Sequence, residues 1–139
     1  MLRQASDSLV LRASRAGLFE FTQSVESWVA RTGIRQGLLT LFCRHTSASL
    51  LIQENAASAV ARDLERYFAR LAPESDHYEH DDEGPDDMPA HLRTALTQTQ
   101  LSIPVQGGCM ALGTWQGIFL FEHRKGTPER HIALHLVGE

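Results

Sequence analysis

The nine residues Gly37 to His45, GLLTLFCRH, form an apolar run of strand length, too short for a buried helix, with no polar face until Arg44 and His45. A run apolar on both faces predicts a central strand, and its charged end predicts that the strand finishes at solvent. The rest of the chain must then supply strands on either side. Three candidates follow in the last third: Leu101 to Val105, Met110 to Arg124 and Arg130 to Val137, separated by the turn sequences Gln106-Gly-Gly108 and Lys125-Gly-Thr-Pro128. In a regular strand from Met110 to Arg124, Thr114, Gln116, Ile118, Leu120 and Glu122 would share one face, with Gly113, Trp115, Gly117, Phe119 and His123 on the other. Gly113 and Gly117 within that run mark a bulge or a close approach of backbone or ligand.

The first third reads as two short strands, Ser8–Arg12 and Leu18–Thr22, broken by Ala16-Gly17 and expected to pair as a hairpin. Ser24 offers an N-cap for a short helix through Val25, Trp28 and Val29, which Gly33 stops. Leu50 to Ile52 reads as a further strand. Asn55 then caps a helix over Ala56–Leu71 whose stripe is Val60, Leu64, Tyr67, Phe68 and Leu71. A third helix starts at Asp86 or Asp87, with Pro89 and His91 in its first turn and Leu92, Ala95 and Leu96 as its apolar face. Strands and helices without regular alternation predict an α+β fold: one compact domain over residues 1–139 with a mixed, mainly antiparallel sheet and about three helices. A chain of 139 residues with 42% hydrophobic composition supports one core of ordinary size.

Charge is distributed unevenly. Residues 74 to 87 contain Glu74, Asp76, Glu79, Asp81, Asp82, Glu83, Asp86 and Asp87 and no Lys or Arg, which predicts a solvent-exposed loop. Setting these eight aside, 9 acidic residues remain against 13 Lys and Arg, so the remainder carries +4. A mildly basic body suits a small anionic ligand, but the dense basic stripe that tracks a nucleic-acid backbone is absent. Two cysteines, Cys43 and Cys109, lie in apolar runs and read as buried thiols rather than a disulfide framework. Neither a signal-peptide core nor a run of membrane-spanning length is present, so a cytoplasmic protein without membrane insertion is expected.

Three histidines, His45, His80 and His91, stand where expected regular elements meet loops, which is where side chains can converge. Each alone is explained by a hydrogen-bonded or solvated imidazole. Together they suit a metal held by three protein ligands with water in the open position, although no pair has the spacing of HExxH or HxH. Glu54, Asp82, Asp87 and Glu122 are carboxylates available to orient such histidines or act as a base. Thr46, Ser47 and Ser49 follow His45, and Arg44, Arg124 and Lys125 are the basic residues nearest the motifs. GxSxG, P-loop and GxGxxG patterns are absent.

His45-Thr-Ser-Ala-Ser-Leu50, Glu54-Asn-Ala56, Tyr78-Glu-His80, Asp87-Met-Pro-Ala-His91-Leu92, Ser102-Ile-Pro-Val105 and Leu112-Gly-Thr-Trp-Gln-Gly117 resemble, in this order, the YjbQ family, also called secondary thiamine-phosphate synthase. The resemblance runs from about residue 5 to the C-terminus. It implies a compact α+β fold assembling as a homotrimer, with a site near the subunit interface. It further implies a weak thiamine-phosphate synthase activity on a small phosphorylated substrate. By matching motif positions, His45, His80 and His91 become the implied metal or catalytic residues and Thr114, Trp115 and Gln116 the implied site-lining residues; the residues themselves add Glu54 as a catalytic carboxylate and Thr46, Ser47 and Arg124 as substrate-binding candidates. Many members carry Asn-Ala where this chain has Asp87-Met88. Imidazole ligands favour zinc as the divalent ion, whereas diphosphate chemistry favours Mg²⁺ with oxygen ligands. The histidines therefore fit metal-assisted hydrolysis better than synthase chemistry, and a non-catalytic module binding a small anion or metal is the other alternative.

Overall fold

The computed structural model describes residues 1–74 and 77–139, so Asp76 of the acidic run lies outside the described residues. The fold is α+β, with all strand pairs antiparallel and divided between two sheets. The first sheet has the order β1-β8-β3-β5-β6, built from β1 Arg3–Leu11, β3 Gly37–Cys43, β5 Gln100–Gln106, β6 Cys109–Met110 and β8 Arg130–Gly138. The second has the order β2-β7-β4, from β2 Gly17–Glu20, β4 Ala48–Glu54 and β7 Gln116–Glu122. Three helices complete it: α1 Thr22–Thr32, α2 Ser58–Leu71 and α3 Asp87–Leu96. Among the described residues no helix is long and apolar enough to cross a membrane.

The apolar run from Gly37 forms the central strand, flanked by β5 and β8. Its inward residues Leu39, Leu41 and Cys43 are buried in the main core with Leu50, Ile118 and Leu120 of the second sheet and Val25, Trp28 and Val29 of α1. Its outward residues Leu38 and Phe42 remain 44% and 46% exposed and, with exposed Val10 of β1, place apolar side chains on the otherwise polar far face of the first sheet. At its start the backbone is crowded: a Cβ on Gly37 would sit 2.3 Å from the Val137 carbonyl oxygen. A second, smaller cluster lies on the other side of β7, where Leu18, Phe119 and Phe121 meet Leu64 and Phe68 of α2.

Several local expectations are corrected. The first two strands form no hairpin, because β1 pairs with β8 and β2 with β7 in different sheets. Helix α1 begins at Thr22, two residues before Ser24: Phe21 is drawn into the core, and the Thr22 hydroxyl accepts the Ile118 N–H at 2.8 Å. Asn55 does not cap α2. Its side chain instead donates to Glu20, and a Glu54 carboxylate oxygen accepts the N–H groups of Ala56 and Ala57. Tyr67 and Leu71 of the α2 stripe are exposed, since the helix meets the sheet through Ala61, Leu64 and Phe68. Helix α3 presents Asp87, Pro89 and Ala90 to the interior, not Ala95 and Leu96. The run from Met110 to Arg124 is broken into β6 and β7 by a loop that contains Gly113. Cys109 is exposed, unlike Cys43.

Candidate metal centre

The acidic run ends by turning inward, and this turn builds the site. Asp87 opens α3, and its side chain is 3% exposed. One carboxylate oxygen, Oδ1, lies 2.5 Å from Nη1 of Arg124. The other, Oδ2, faces two imidazoles: His80 Nε2 at 2.9 Å and His91 Nε2 at 3.2 Å. Glu83 brings a second carboxylate to 3.3 Å from His80 Nε2. Ligand atoms from His80, Glu83, Asp87 and His91 all lie within 4.8 Å of one another, a cluster that could hold a metal ion.

His91 decides the chemistry of the cluster. Its Nδ1 lies 2.9 Å from the Thr46 carbonyl oxygen, which can only accept, so Nδ1 carries the proton. In the neutral ring Nε2 then presents a lone pair to a carboxylate oxygen. Two acceptors this close need a cation between them, either a proton or a metal ion. The backbone carbonyl also fixes the ring's orientation, as a partner behind a metal-binding histidine does.

Electrostatics around the pair are strongly organised. Burial raises the Asp87 pKa, but the hydrogen bond from His80 and the charges of His91 and Arg124 outweigh it and hold the carboxyl below its ordinary value. The hydrogen bond to Asp87 raises His80 above the ordinary histidine value, against a smaller opposing effect of desolvation. Arg124 also binds Asp86 through Nε at 3.2 Å and the Glu83 carbonyl through Nη2 at 3.0 Å. Lys125 Nζ lies 2.9 Å from Glu74. The two nearest cations are thus committed to the acidic loop, and they fold it onto the body. A hollow of about 290 Å³ beside His80, lined by Tyr78, Met88 and Pro85 among others, gives a small molecule room to approach.

The remaining sequence candidates fall elsewhere. His45 stands apart from the four: its Nε2 accepts the His131 N–H at 2.7 Å, and its ring stacks on that of His131. Burial, then the charge of Arg130, lowers its pKa, which suits this accepting role. Ser47 gives its carbonyl to Arg130, and Glu54 orders the approach to α2. Thr114 and Gln116 line a separate groove, and Trp115, 63% exposed, lies in the loop between them. The β4–β7 ladder explains the division. Ala48 pairs with Glu122 at one end, beside Thr46 and Arg124, and Glu54 pairs with Gln116 at the other. Six residue steps of strand separate the two ends by roughly 20 Å.

Glu83 was not singled out by sequence reasoning, and Asp87 only as one of four carboxylates. A search restricted to histidine pairs passes over the spacing that matters, since Asp87 and His91 are four apart on one helix face. The buried Ser49–His123 contact at 3.0 Å was also not anticipated. Burial, then the charges of Arg93 and Arg130, pushes His123 down to about 3, so it is a neutral core histidine. Ser49 and His123 are both sealed from solvent and form no nucleophilic site.

Two packed antiparallel sheets with a histidine–carboxylate cluster at one end of the smaller define an α+β protein whose cluster could hold a metal ion. The chain belongs to the UPF0047 YjbQ-like family, whose model matches residues 7–139. It is 47% identical over 138 residues to a UPF0047 protein of Synechocystis, covering 99% of this chain and 94% of that relative. It is 42% identical over 133 residues to the UPF0047 protein YjbQ of Escherichia coli, covering 95% and 96%. Among solved structures, a YbjQ-like protein of unknown function from Sulfolobus solfataricus superposes with a TM-score of 0.93 at 26% identity over the full length of both chains. A YjbQ/UPF0047 family protein from Clostridium acetobutylicum gives 0.85 at 29% identity, covering 92% of this chain and 97% of that one.

Proposed function

We propose that this protein binds a divalent metal ion, zinc favoured, through His80, His91 and Asp87 with Glu83 beside them, and uses it in metal-assisted hydrolysis of a small substrate. The observation that carries this reading is His91, whose Nδ1 is fixed by the Thr46 carbonyl while Nε2 and the Asp87 carboxylate converge on one point. Two imidazoles and a carboxylate are a common catalytic zinc set, and a bound ion of this kind acidifies a coordinated water. Thiamine-phosphate synthase activity on phosphorylated precursors is the second reading and draws on the six-motif resemblance. Against it stands the engagement of Arg124 and Lys125 by carboxylates, which leaves charge on a diphosphate to be met by the metal alone.

Metal analysis tests the first reading. Protein purified without chelator should carry about one zinc per chain at pH 7.5. Occupancy should fall as the pH is lowered to about 5, because a proton held by His80 in the metal-free site competes with the ion. Absence of stoichiometric metal, together with no rise in melting temperature on adding zinc, counts against it.

We further propose that the protein is a homotrimer that covers the outer face of the first sheet, where Leu38, Phe42 and Val10 are exposed. Light scattering should report three chains for the parent and a smaller species for Phe42→Glu. A variant that stays fully trimeric would place the interface elsewhere.

A further inference from the structure

A second cavity lies remote from the histidines. It is a groove of about 750 Å³ between the start of α1 and the 111–116 loop, within the size range of small-molecule sites. Its wall combines apolar surface from Phe21 and Leu112 with polar groups from Glu20, Glu26, Asn55 and Gln116. Lys, Arg and His are absent from its lining. Neither Glu20 nor Glu26 has an ion-pair partner among the described residues.

Glu20 is exposed, and two hydrogen bonds fix its orientation. Its Oε2 accepts the Thr22 hydroxyl at 2.7 Å and the Asn55 amide N–H at 3.0 Å. Thr22 is anchored in turn by the Ile118 N–H, so the carboxylate is tied to both α1 and β7. Gly117 makes the arrangement possible, since a Cβ there would lie 2.5 Å from Glu20 Oε2. Among the described residues Oε1 has no such partner and is the open acceptor. Across the groove, Gln116 spends its Oε1 on the Gly113 N–H at 2.7 Å, which leaves its amide nitrogen for a ligand.

From this cavity and its oriented carboxylate we infer a second ligand site, for a small planar molecule bearing a protonated amine or amidine, with Glu20 as the charge partner. Such a ligand places its cation on Glu20 Oε1 and its apolar part against Leu112 and Met110. Anionic ligands, phosphate included, are excluded by two unpaired carboxylates with no compensating base. The site goes beyond the proposed metal centre and does not depend on it.

Benzamidine is the probe, and benzoate its control of matched shape and opposite charge. Titration followed by amide NMR should show benzamidine shifting the Gln116 side-chain amide, the Trp115 indole and the backbone of residues 20–24, with benzoate leaving them unmoved. Glu20→Gln, checked for parent-like melting, should weaken benzamidine about tenfold, the loss of one charge-assisted hydrogen bond. Glu26→Gln, on the exposed face of α1, should weaken it by a smaller factor and guards against a folding defect in the first variant. His91→Ala should bind the probe like the parent. Equal binding of benzoate, shifts confined to other surfaces, no binding of benzamidine, or unchanged affinity in both glutamine variants would overturn the proposal.

Discussion

Replacing His91 with alanine is expected to lower zinc affinity by at least about 100-fold while leaving the fold intact. The side chain reaches outward from α3 to Asp87 and the Thr46 carbonyl, and it contributes nothing to either apolar cluster. Its removal takes away a nitrogen ligand and frees one backbone carbonyl at the surface. Isothermal titration with zinc gives the affinity, and circular dichroism shows that the chain remains folded. His91→Gln sharpens the result, because an amide can keep the Thr46 contact but makes a poor zinc ligand. Parent-like zinc affinity in both variants would remove His91 from the site.

The second large effect is on stability. Glu122 and Arg130 form an ion pair whose side chains are 0% and 3% exposed, with Arg130 Nε 2.8 Å from Glu122 Oε1. Further bonds tie the pair in: the Arg124 N–H donates to Glu122, and Arg130 Nη2 donates to the Ser47 carbonyl. Arg130→Met strands a carboxylate in the interior, at an expected cost of about 3–5 kcal/mol, a large share of the roughly 5–15 kcal/mol that holds a domain of this kind folded. Urea denaturation should show the loss as a lower midpoint. The double variant Glu122→Leu/Arg130→Met should recover most of it, because a buried pair replaced by apolar side chains leaves no orphaned charge. If the double variant is as unstable as the single one, packing rather than charge is the cause. The pair also holds the Ser47 backbone, next to the carbonyl that orients His91.

The sequence pattern made some of this legible and hid the rest for definite reasons. Gly37–Cys43 was readable as a central strand because its two apolar faces have no other use, and Gly33 was readable as a helix stop, which its φ of 72° explains. The hairpin between the first strands was misread because local turn chemistry cannot report that β1 finds its partner 130 residues away in β8. Asp87 was read as part of a solvated acidic loop because composition describes a segment, whereas burial here is decided at one residue by Arg124. His80 and His91 were visible as candidates, but their grouping with Glu83 and Asp87 depends on how the loop folds back, which no short motif encodes. The grouping of His45 with Thr114 and Gln116 is implied by the family resemblance, and within one chain the β4–β7 ladder sets the Ala48 and Gln116 ends apart.

That distance has a consequence for how activity can be distributed. The β4–β7 ladder acts as a rigid spacer between the cluster at its Ala48 end and the groove at its Glu54 end. A ligand shorter than the spacer cannot be gripped by both ends of one chain, so any step that uses both must draw them from different copies. Such a step would be sensitive to dilution, fading as subunits separate although every chain stays folded, whereas chemistry confined to either end would be indifferent to it.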